Sequence, residues 1–300
     1  SPMWSPDGRE VAFVRKVAGK QALHVIAIDG GEAILVPTGS REPSQVRWSP
    51  DGKSFAFLCE PERLKIAQDA KWATGGVIDW GREWQSTHLW VVPRAGGEPR
   101  RISRGEENVV DYQWSPDGAR FLVLTSASSD PYESSNHRTP RVISARDGAP
   151  ISVLAGKTRA YDQADWSPDG KRIAMLATHE SLSMLNELLV WEPATGKSWN
   201  AAPDFDHTLT SLLWSADSRS LITLVYERTA ARFLRFPVEG GAGVDLGFAG
   251  RVADGPLTAD REVGKLAFIS STDREPRDPT VFDLAGRTTT LATRLNPDVQ

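Results

Sequence analysis

Short apolar runs recur along the chain, and each follows a cluster of turn residues. These runs are rich in β-branched and aromatic residues, which favours β-strands. They are apolar almost throughout and do not alternate cleanly, which indicates strands buried on both faces. The runs are "KSFAFL" (53–58), "ARFLVLT" (119–125), "KRIAMLAT" (171–178) and "RSLITLVY" (219–226).

A second apolar run follows in most units and ends in a glycine turn such as "AGGE" (95–98). The second runs are "ALHVIAID" (22–29), "HLWVVPR" (88–94), "ELLVWEPA" (187–194) and "RFLRFPVE" (232–239). A third short run, as in "EPRRIS" (98–103), leads to the next unit. Counting the segment that ends at each tryptophan, the pattern predicts four strands per unit.

The turn before the first apolar run of each unit is a repeated pentad. W-S-P-D-G occurs at 4–8, 48–52, 114–118 and 166–170, with a degenerate copy W-S-A-D-S at 214–218 and a fainter L-T-A-D-R at 257–261. Proline presets φ for a tight turn, aspartate suits the next position, and glycine tolerates the left-handed backbone that follows. The pentad therefore predicts a hairpin turn, and its residues are interpreted as structural. They include Asp51, Gly52, Asp117, Gly118, Asp169 and Gly170.

The spacing of the pentads predicts the fold. Units start near residues 4, 48, 114, 166, 214 and 257. Four strands recurring about every 40–50 residues are typical of propeller blades. The sequence predicts an all-β protein, one β-propeller domain over residues 1–300 with four-stranded blades. The tryptophan that opens each pentad is interpreted as a packing residue between blades, and these residues are Trp4, Trp48, Trp114, Trp166 and Trp214.

One unit is longer than the others and contains an insertion at 60–87, "EPERLKIAQDAKWATGGVIDWGREWQST". It carries Trp72, Trp80 and Trp84 among many charged residues. One interpretation is a long hairpin that covers the edge of a blade. The other is a loop that contacts another domain, a second subunit or a substrate, since loops of this length are often functional.

Composition and the first residues restrict the class of protein. The net charge of -4 argues against a nucleic-acid partner, and no apolar run reaches the length of a membrane helix, so no membrane partner is expected. The single cysteine, Cys59, excludes an internal disulfide and reads as a buried, unreactive thiol. The chain opens at Ser1 without a signal peptide, and we expect that residues upstream are missing. A cytoplasmic location is favoured, and a periplasmic one stays open.

A search for catalytic motifs identifies no catalytic residue. There is no G-x-S-x-G elbow, no H-E-x-x-H pair and no phosphate-binding glycine loop, so neither a metal nor a cofactor is expected. The only candidates for substrate binding are Glu106 and Glu107, in the loop before the third pentad. Twin glutamates there could hold the amino terminus of a peptide by charge-assisted hydrogen bonds, and the alternative is a solvated loop.

The repeated W-S-P-D-G with its "KRIA" strand, followed by "HLWVV" and "GGEPRRIS", resembles the N-terminal propeller of the prolyl oligopeptidase family of serine peptidases (S9). Its acylaminoacyl-peptidase and dipeptidyl-aminopeptidase-like branch is the most similar. TolB-like propellers share the pentad (PD40 repeats). The end of the chain, "TTTLATRLNPDVQ" (288–300), resembles the segment by which these peptidases leave the propeller.

The resemblance implies a function for the chain. It would be the non-catalytic domain that restricts the access of short peptides to a C-terminal α/β-hydrolase domain, which the 300 residues do not contain. The family's blade count leaves six or seven blades open. The alternative is a stand-alone TolB-like propeller that acts as a protein-interaction scaffold, and a propeller lyase or glycosidase is disfavoured.

Overall fold

The computed structural model describes residues 2–60, 85–154, 159–178, 185–227, 230–260 and 262–293. Contacts divide the chain into two compact units, Ser1–Thr158 and Arg159–Gln300. Each unit contains three four-stranded sheets in which consecutive strands pair antiparallel. The prediction of a single domain over residues 1–300 stays a prediction.

The first unit contains sheets 1 to 3. Sheet 1 consists of β1 (Met3–Trp4), β2 (Glu10–Val17), β3 (Lys20–Ala27) and β4 (Ile34–Val36). Sheet 2 consists of β5 (Ser44–Trp48), β6 (Ser54–Cys59), β7 (His88–Pro93) and β8 (Arg100–Arg101). Sheet 3 consists of β9 (Asn108–Trp114), β10 (Arg120–Ser126), β11 (Thr139–Ser144) and β12 (Pro150–Val153), with the short helix α1 (Pro131–Asn136) between β10 and β11.

The second unit contains sheets 4 to 6. Sheet 4 consists of β13 (Tyr161–Trp166), β14 (Ile173–Thr178), β15 (Asn186–Glu192) and β16 (Lys197–Asn200). Sheet 5 consists of β17 (Leu209–Trp214), β18 (Ser220–Glu227), β19 (Ala230–Pro237) and β20 (Val244–Asp245). Sheet 6 consists of β21 (Val252–Ala259), β22 (Lys265–Ser271), β23 (Asp278–Asp283) and β24 (Thr288–Leu291).

The six sheets are the blades of a six-bladed β-propeller, as the repeat pattern predicts. The apolar runs that directly follow the pentads correspond to β6, β10, β14 and β18 within two residues at either end. Their burial on both faces is also confirmed, because nearly every residue of β6, β10 and β14 is buried. Sheet 6 differs, since burial alternates along β22 and one of its faces is less covered.

The pentad builds the same turn in successive sheets. At the turn between β5 and β6, the Gly52 amide donates to the Ser49 carbonyl oxygen at 2.9 Å, and Gly52 has a φ of +69°. The Ser49 hydroxyl donates to Asp51 Oδ1 at 2.6 Å, and Asp51 Oδ1 also accepts the Lys53 amide at 3.0 Å. Serine and aspartate therefore satisfy the polar groups of the turn locally.

The two degenerate pentads behave differently. In W-S-A-D-S, Ser218 takes the left-handed position with a φ of +60°, and the turn keeps its serine–aspartate bond, from Ser215 Oγ to Asp217 Oδ1 at 2.6 Å. In the fainter copy, Asp260 Oδ1 accepts the amides of Gly264 and Lys265 at 2.7 and 3.0 Å. That turn keeps the same size, since the Val263 amide donates to the Asp260 carbonyl oxygen at 3.0 Å and Val263 takes the left-handed position with a φ of +53°. Asp260 therefore stands where the other turns have their serine.

The tryptophans of the pentads are buried in three cases. Trp48, Trp166 and Trp214 are between 6% and 8% exposed. Trp48 Nε1 donates to the Met3 carbonyl at 3.2 Å, and Trp214 Nε1 donates to the Asp165 carbonyl at 3.1 Å. Each bond joins the first strands of two adjacent sheets in one unit.

The other two tryptophans of W-S-P-D-G pentads depart from that pattern. Trp114 is half-buried and packs on Phe121, with the ring centroids 4.0 Å apart. Trp4 is 60% exposed, so the predicted packing role does not hold for its side chain. Repetition of the motif therefore does not guarantee the same burial at each copy.

Several predicted features lie outside the described residues. They include most of the insertion, at 61–84, with Trp72, Trp80 and Trp84, and the last residues of the chain, at 294–300. The described helix, α1, is too short to cross a bilayer, and no membrane-spanning helix occurs in the described part of the chain.

Candidate ligand cleft between sheets 1 and 2

The strand order separates two kinds of connection in every sheet. The pentad turns join the first strand to the second, so in an antiparallel sheet the connection from the second strand to the third lies at the opposite end. We call this opposite end the loop end. The insertion that begins at Glu60 and the segment that holds α1 both leave their sheets there. The pentad ends are alike in sequence, whereas the loop ends differ from one sheet to the next. Binding residues are more often found on variable loops, which favours a site at the loop end.

A cleft of about 1170 Å³ lies at the loop end between sheets 1 and 2. Apolar residues of the strands line its base, including Met3, Val14 and Val46. Charged and aromatic residues line its wall on sheet 2, and these are Arg41, His88, Trp90 and Arg101. We call these four residues the cleft wall.

Strand register places three residues of the cleft wall on one face of sheet 2. Cys59 is the cross-strand partner of His88, and Trp90 is the cross-strand partner of Arg101. His88 and Trp90 are two residues apart on β7, so all four side chains point to the same side. That side faces sheet 1, because Cys59 and Trp90 pack with Met3 in one apolar cluster.

Arg100 lies on the opposite face of β8 from Arg101, as expected for neighbouring residues of a strand. It precedes Arg101 on β8, and its guanidinium reaches sheet 3, where it donates to the carbonyl oxygens of Ala145 and Arg146. The adjacent residues Arg100 and Arg101 therefore lie on opposite faces of sheet 2.

Arg41 completes the wall from the loop before β5. Its guanidinium carbon lies 3.8 Å from the centre of the Trp90 ring, in a cation–π stack. Its Nη1 lies 3.6 Å from Glu98 Oε1, and Glu98 is 84% exposed, so that ion pair contributes little. The stack on Trp90 therefore does more to orient this guanidinium.

The tautomer of His88 follows from its partner. His88 is 7% exposed, and its Nδ1 lies 3.1 Å from Arg101 Nη2. A guanidinium can only donate, so Nδ1 accepts and the ring hydrogen is assigned to Nε2. Burial, with a further contribution from the charge of Arg101, lowers the pKa of His88, while Glu106 opposes the shift. At neutral pH His88 therefore presents an uncharged imidazole with an N–H group to the cleft.

Cys59 lies beside His88 but lacks the properties of a nucleophile. Its side chain is 6% exposed and its thiol donates to the Glu60 carbonyl oxygen at 3.0 Å. Burial raises the pKa of the thiol, so it stays protonated at neutral pH.

The two glutamates singled out in the sequence turn to different partners. Glu106 is exposed and lines the cleft. Glu107 Oε1 accepts from Arg141 Nη2 at 2.8 Å, in an ion pair with sheet 3. The structure therefore does not bring their carboxylates together on one partner, and a joint role in binding a peptide amino terminus stays a prediction.

The remaining described histidines have local partners. His24 is 4% exposed and its Nε2 accepts from Arg15 Nε at 3.3 Å. His137 contacts Glu133, and His207 contacts Asp206 within "DFDH", both as exposed pairs. Within the described ranges, no three His, Cys, Asp or Glu side chains are grouped so that they could hold a metal ion.

Sequence reasoning missed the cleft wall. The available signal was the alternation in "HLWVV", where His88 and Trp90 share a face of the predicted strand. The sequence carried no signal for Arg41 and Arg101, which lie in separate segments and meet Trp90 only through folding.

No family model matches the chain. The chain is 25% identical over 268 residues to dipeptidyl-peptidase 5 of Porphyromonas gingivalis. The matched region covers 80% of this chain and 39% of the relative. Homologues of the chain are S9 peptidases, which confirms the resemblance drawn from the pentads and strands. The chain spans well under half the length of that relative.

Two solved structures share the fold. An acylaminoacyl peptidase in complex with a peptide chloromethyl ketone has a TM-score of 0.72 at 16% identity, over 99% of this chain and 45% of that one. A protein described as a putative TolB from Agrobacterium tumefaciens has a TM-score of 0.50 at 18% identity, over 83% of this chain and 80% of that one. At these identities the likeness concerns the fold alone.

Proposed function

We propose that this chain is the substrate-restricting propeller of an S9 serine peptidase. In this proposal a separate α/β-hydrolase part of the same protein supplies the serine, histidine and aspartate that cleave the peptide bond. The propeller limits which substrates reach that site, so that short peptides enter and folded proteins do not. It also keeps bulk water away from the reacting groups.

The similarity to dipeptidyl-peptidase 5 carries the proposal. It extends over 80% of this chain but only 39% of the relative, so the similar region is a part of that peptidase. The 300 residues contain no G-x-S-x-G elbow, so a hydrolase activity would need residues outside them. The repeated blades and the absence of that elbow together favour a non-catalytic role for this region.

Reading the coding sequence beyond the codon for Gln300 is the first test. The proposal expects an in-frame segment of roughly 250 residues that carries G-x-S-x-G, then aspartate, then histidine. A stop codon close behind Gln300 would contradict it. In that case a stand-alone scaffold becomes the better account, which the comparable length of the TolB-like structure supports.

A serine-directed fluorophosphonate probe gives an independent test. We expect no covalent labelling of the 300-residue chain, and stoichiometric labelling of the whole protein at the serine of the elbow. Stoichiometric labelling of the 300-residue chain would refute a non-catalytic role. With the whole protein, cleavage of short peptides but not of a folded protein would support restriction by size.

A further inference from the structure

We propose that the cleft wall of Arg41, His88, Trp90 and Arg101 binds an oxyanion, the carboxylate or phosphate group of a small ligand. The four residues line the same cleft between sheets 1 and 2 at the loop end. Three of them present N–H donors, and the fourth provides a flat aromatic surface. The inference does not depend on the proposed peptidase function, because it concerns binding to this chain alone.

The guanidinium groups of Arg41 and Arg101 are each held by neighbours in the cleft wall or its loop. Arg41 stacks on the indole at 3.8 Å, and Arg101 stands directly across from Trp90 on β8. Side chains in cross-strand pairs lie about 5 Å apart at their Cβ atoms. The Arg101 guanidinium is itself held by His88 Nδ1 and the Gly105 carbonyl oxygen. A guanidinium is a rigid fork of donors that matches two oxygens of one carboxylate or phosphate, and here its orientation is set before a ligand arrives.

Two residues of the cleft wall keep N–H donors that no described residue uses. Arg101 uses Nη2 for His88 Nδ1 and the Gly105 carbonyl oxygen, and among the described residues its Nε and Nη1 have no partner. His88 is 7% exposed and lines the cleft, and its Nε2–H has no partner among the described residues. N–H groups that face a cleft in this way favour a ligand with acceptor oxygens.

The other charges of the cleft restrict the ligand class. Lys20 on one side, and Glu42, Glu60 and Glu106 on the other, also line it. Glu42 Oε2 accepts the Gln21 amide at 2.9 Å, while Glu60 and Glu106 are exposed. Three cationic and three anionic side chains nearly cancel, so the cleft attracts no polyanion at long range. A single oxyanion gains instead from direct hydrogen bonds, and about 1170 Å³ accommodates a ligand the size of a short peptide.

The test compares three probes by isothermal titration calorimetry with the 300-residue chain. The first is an N-acetylated dipeptide with a free carboxylate, the second is its C-terminal amide, and the third is inorganic phosphate. Arg101→Gln removes the guanidinium from the cleft. Arg100→Gln is the matched control, because its guanidinium serves the opposite face of the same strand. Circular dichroism and urea unfolding check that both variants are folded.

We expect the peptide acid or phosphate to bind, and Arg101→Gln to weaken that binding about tenfold or more, whereas Arg100→Gln leaves it unchanged. Binding of the acid but not the amide identifies a peptide carboxylate as the ligand, and binding of phosphate alone identifies a free oxyanion. The proposal is overturned if no probe binds, if acid and amide bind equally, or if both arginine variants weaken binding to the same extent. None of these outcomes bears on whether a hydrolase part exists.

Discussion

Replacing Tyr112 by phenylalanine removes one oxygen atom from the contact between sheets 2 and 3. Tyr112 lies on β9 and is 1% exposed. Its hydroxyl oxygen lies 2.5 Å from the Gln45 carbonyl oxygen and 2.7 Å from that of Ala56, both on sheet 2. The hydroxyl therefore joins the first strand of one sheet to the first two strands of its neighbour.

The expected loss follows from that geometry. The Tyr112 ring stays in place, packed edge-on against Phe121 with the centroids 5.9 Å apart, so the substitution opens almost no cavity. What is lost is a donor to a buried carbonyl oxygen. Removing one partner of a buried hydrogen bond costs about 1–3 kcal/mol of unfolding free energy. With a typical urea dependence, the midpoint of unfolding should fall by roughly 1 M.

Urea unfolding followed by far-UV circular dichroism measures the effect of Tyr112→Phe. Tyr132→Phe is the control, because Tyr132 is 70% exposed on α1. That substitution should change the unfolding free energy by less than about 0.5 kcal/mol. If Tyr112→Phe is as mild as the control, the hydroxyl does not stabilise the contact between the sheets and the reasoning is wrong. A changed slope of the transition would instead indicate that the two compact units unfold separately.

Three further predictions concern the turns and the thiol. Gly148→Ala should destabilise by about 2 kcal/mol or more in urea unfolding, because its Cβ would lie 1.8 Å from the Ile102 carbonyl oxygen. Gly8→Ala is the control, because Gly8 has a similar φ of +71° to that of Gly148 but no atom lies within 4 Å of the added Cβ. An equal loss of unfolding free energy in both variants would assign the effect to backbone strain alone. Hydrogen bonds from the Ser49 hydroxyl and the Lys53 amide lower the pKa of Asp51 below its ordinary 3.8, so its contribution to stability is present above that pH and is lost as the pH falls through the lowered folded-state value. The urea midpoint should therefore be lower at pH 3 than at pH 7, by less in Asp51→Asn than in the parent, and an identical pH dependence in both would contradict this. Because burial raises the pKa of Cys59, a thiol reagent should react slowly with the native chain and rapidly in urea, and fast native reaction would show that the thiol is accessible.

Much of the fold could be predicted from the sequence because its determinants are local. The serine, aspartate and glycine of each pentad satisfy one another within six residues, so the turn forms wherever the motif occurs. The apolar runs on either side then have only one antiparallel pairing available. The resemblance to the propellers of S9 peptidases is drawn from these same elements, the pentads and the apolar runs beside them.

The candidate site could not be predicted in the same way. Arg41 and Trp90 are far apart in sequence, and no local pattern says that a loop before β5 will lay its guanidinium on a ring of β7. Glu106 and Glu107 show the converse. They are adjacent in sequence, yet one lines the cleft and the other pairs with Arg141.

By itself, then, the sequence determined the repeat, the turn of each pentad and the four-stranded blades, because short-range hydrogen bonds and apolar runs decide those features. Tertiary structure alone decided which copies of a repeated residue are buried, as the exposure of Trp4 and the burial of Trp48 show. It also decided that Arg101 faces the cleft while Arg100 faces sheet 3. The physical reason is that alternation along a strand fixes two opposite faces, but only the packing of neighbouring sheets fixes what each face meets.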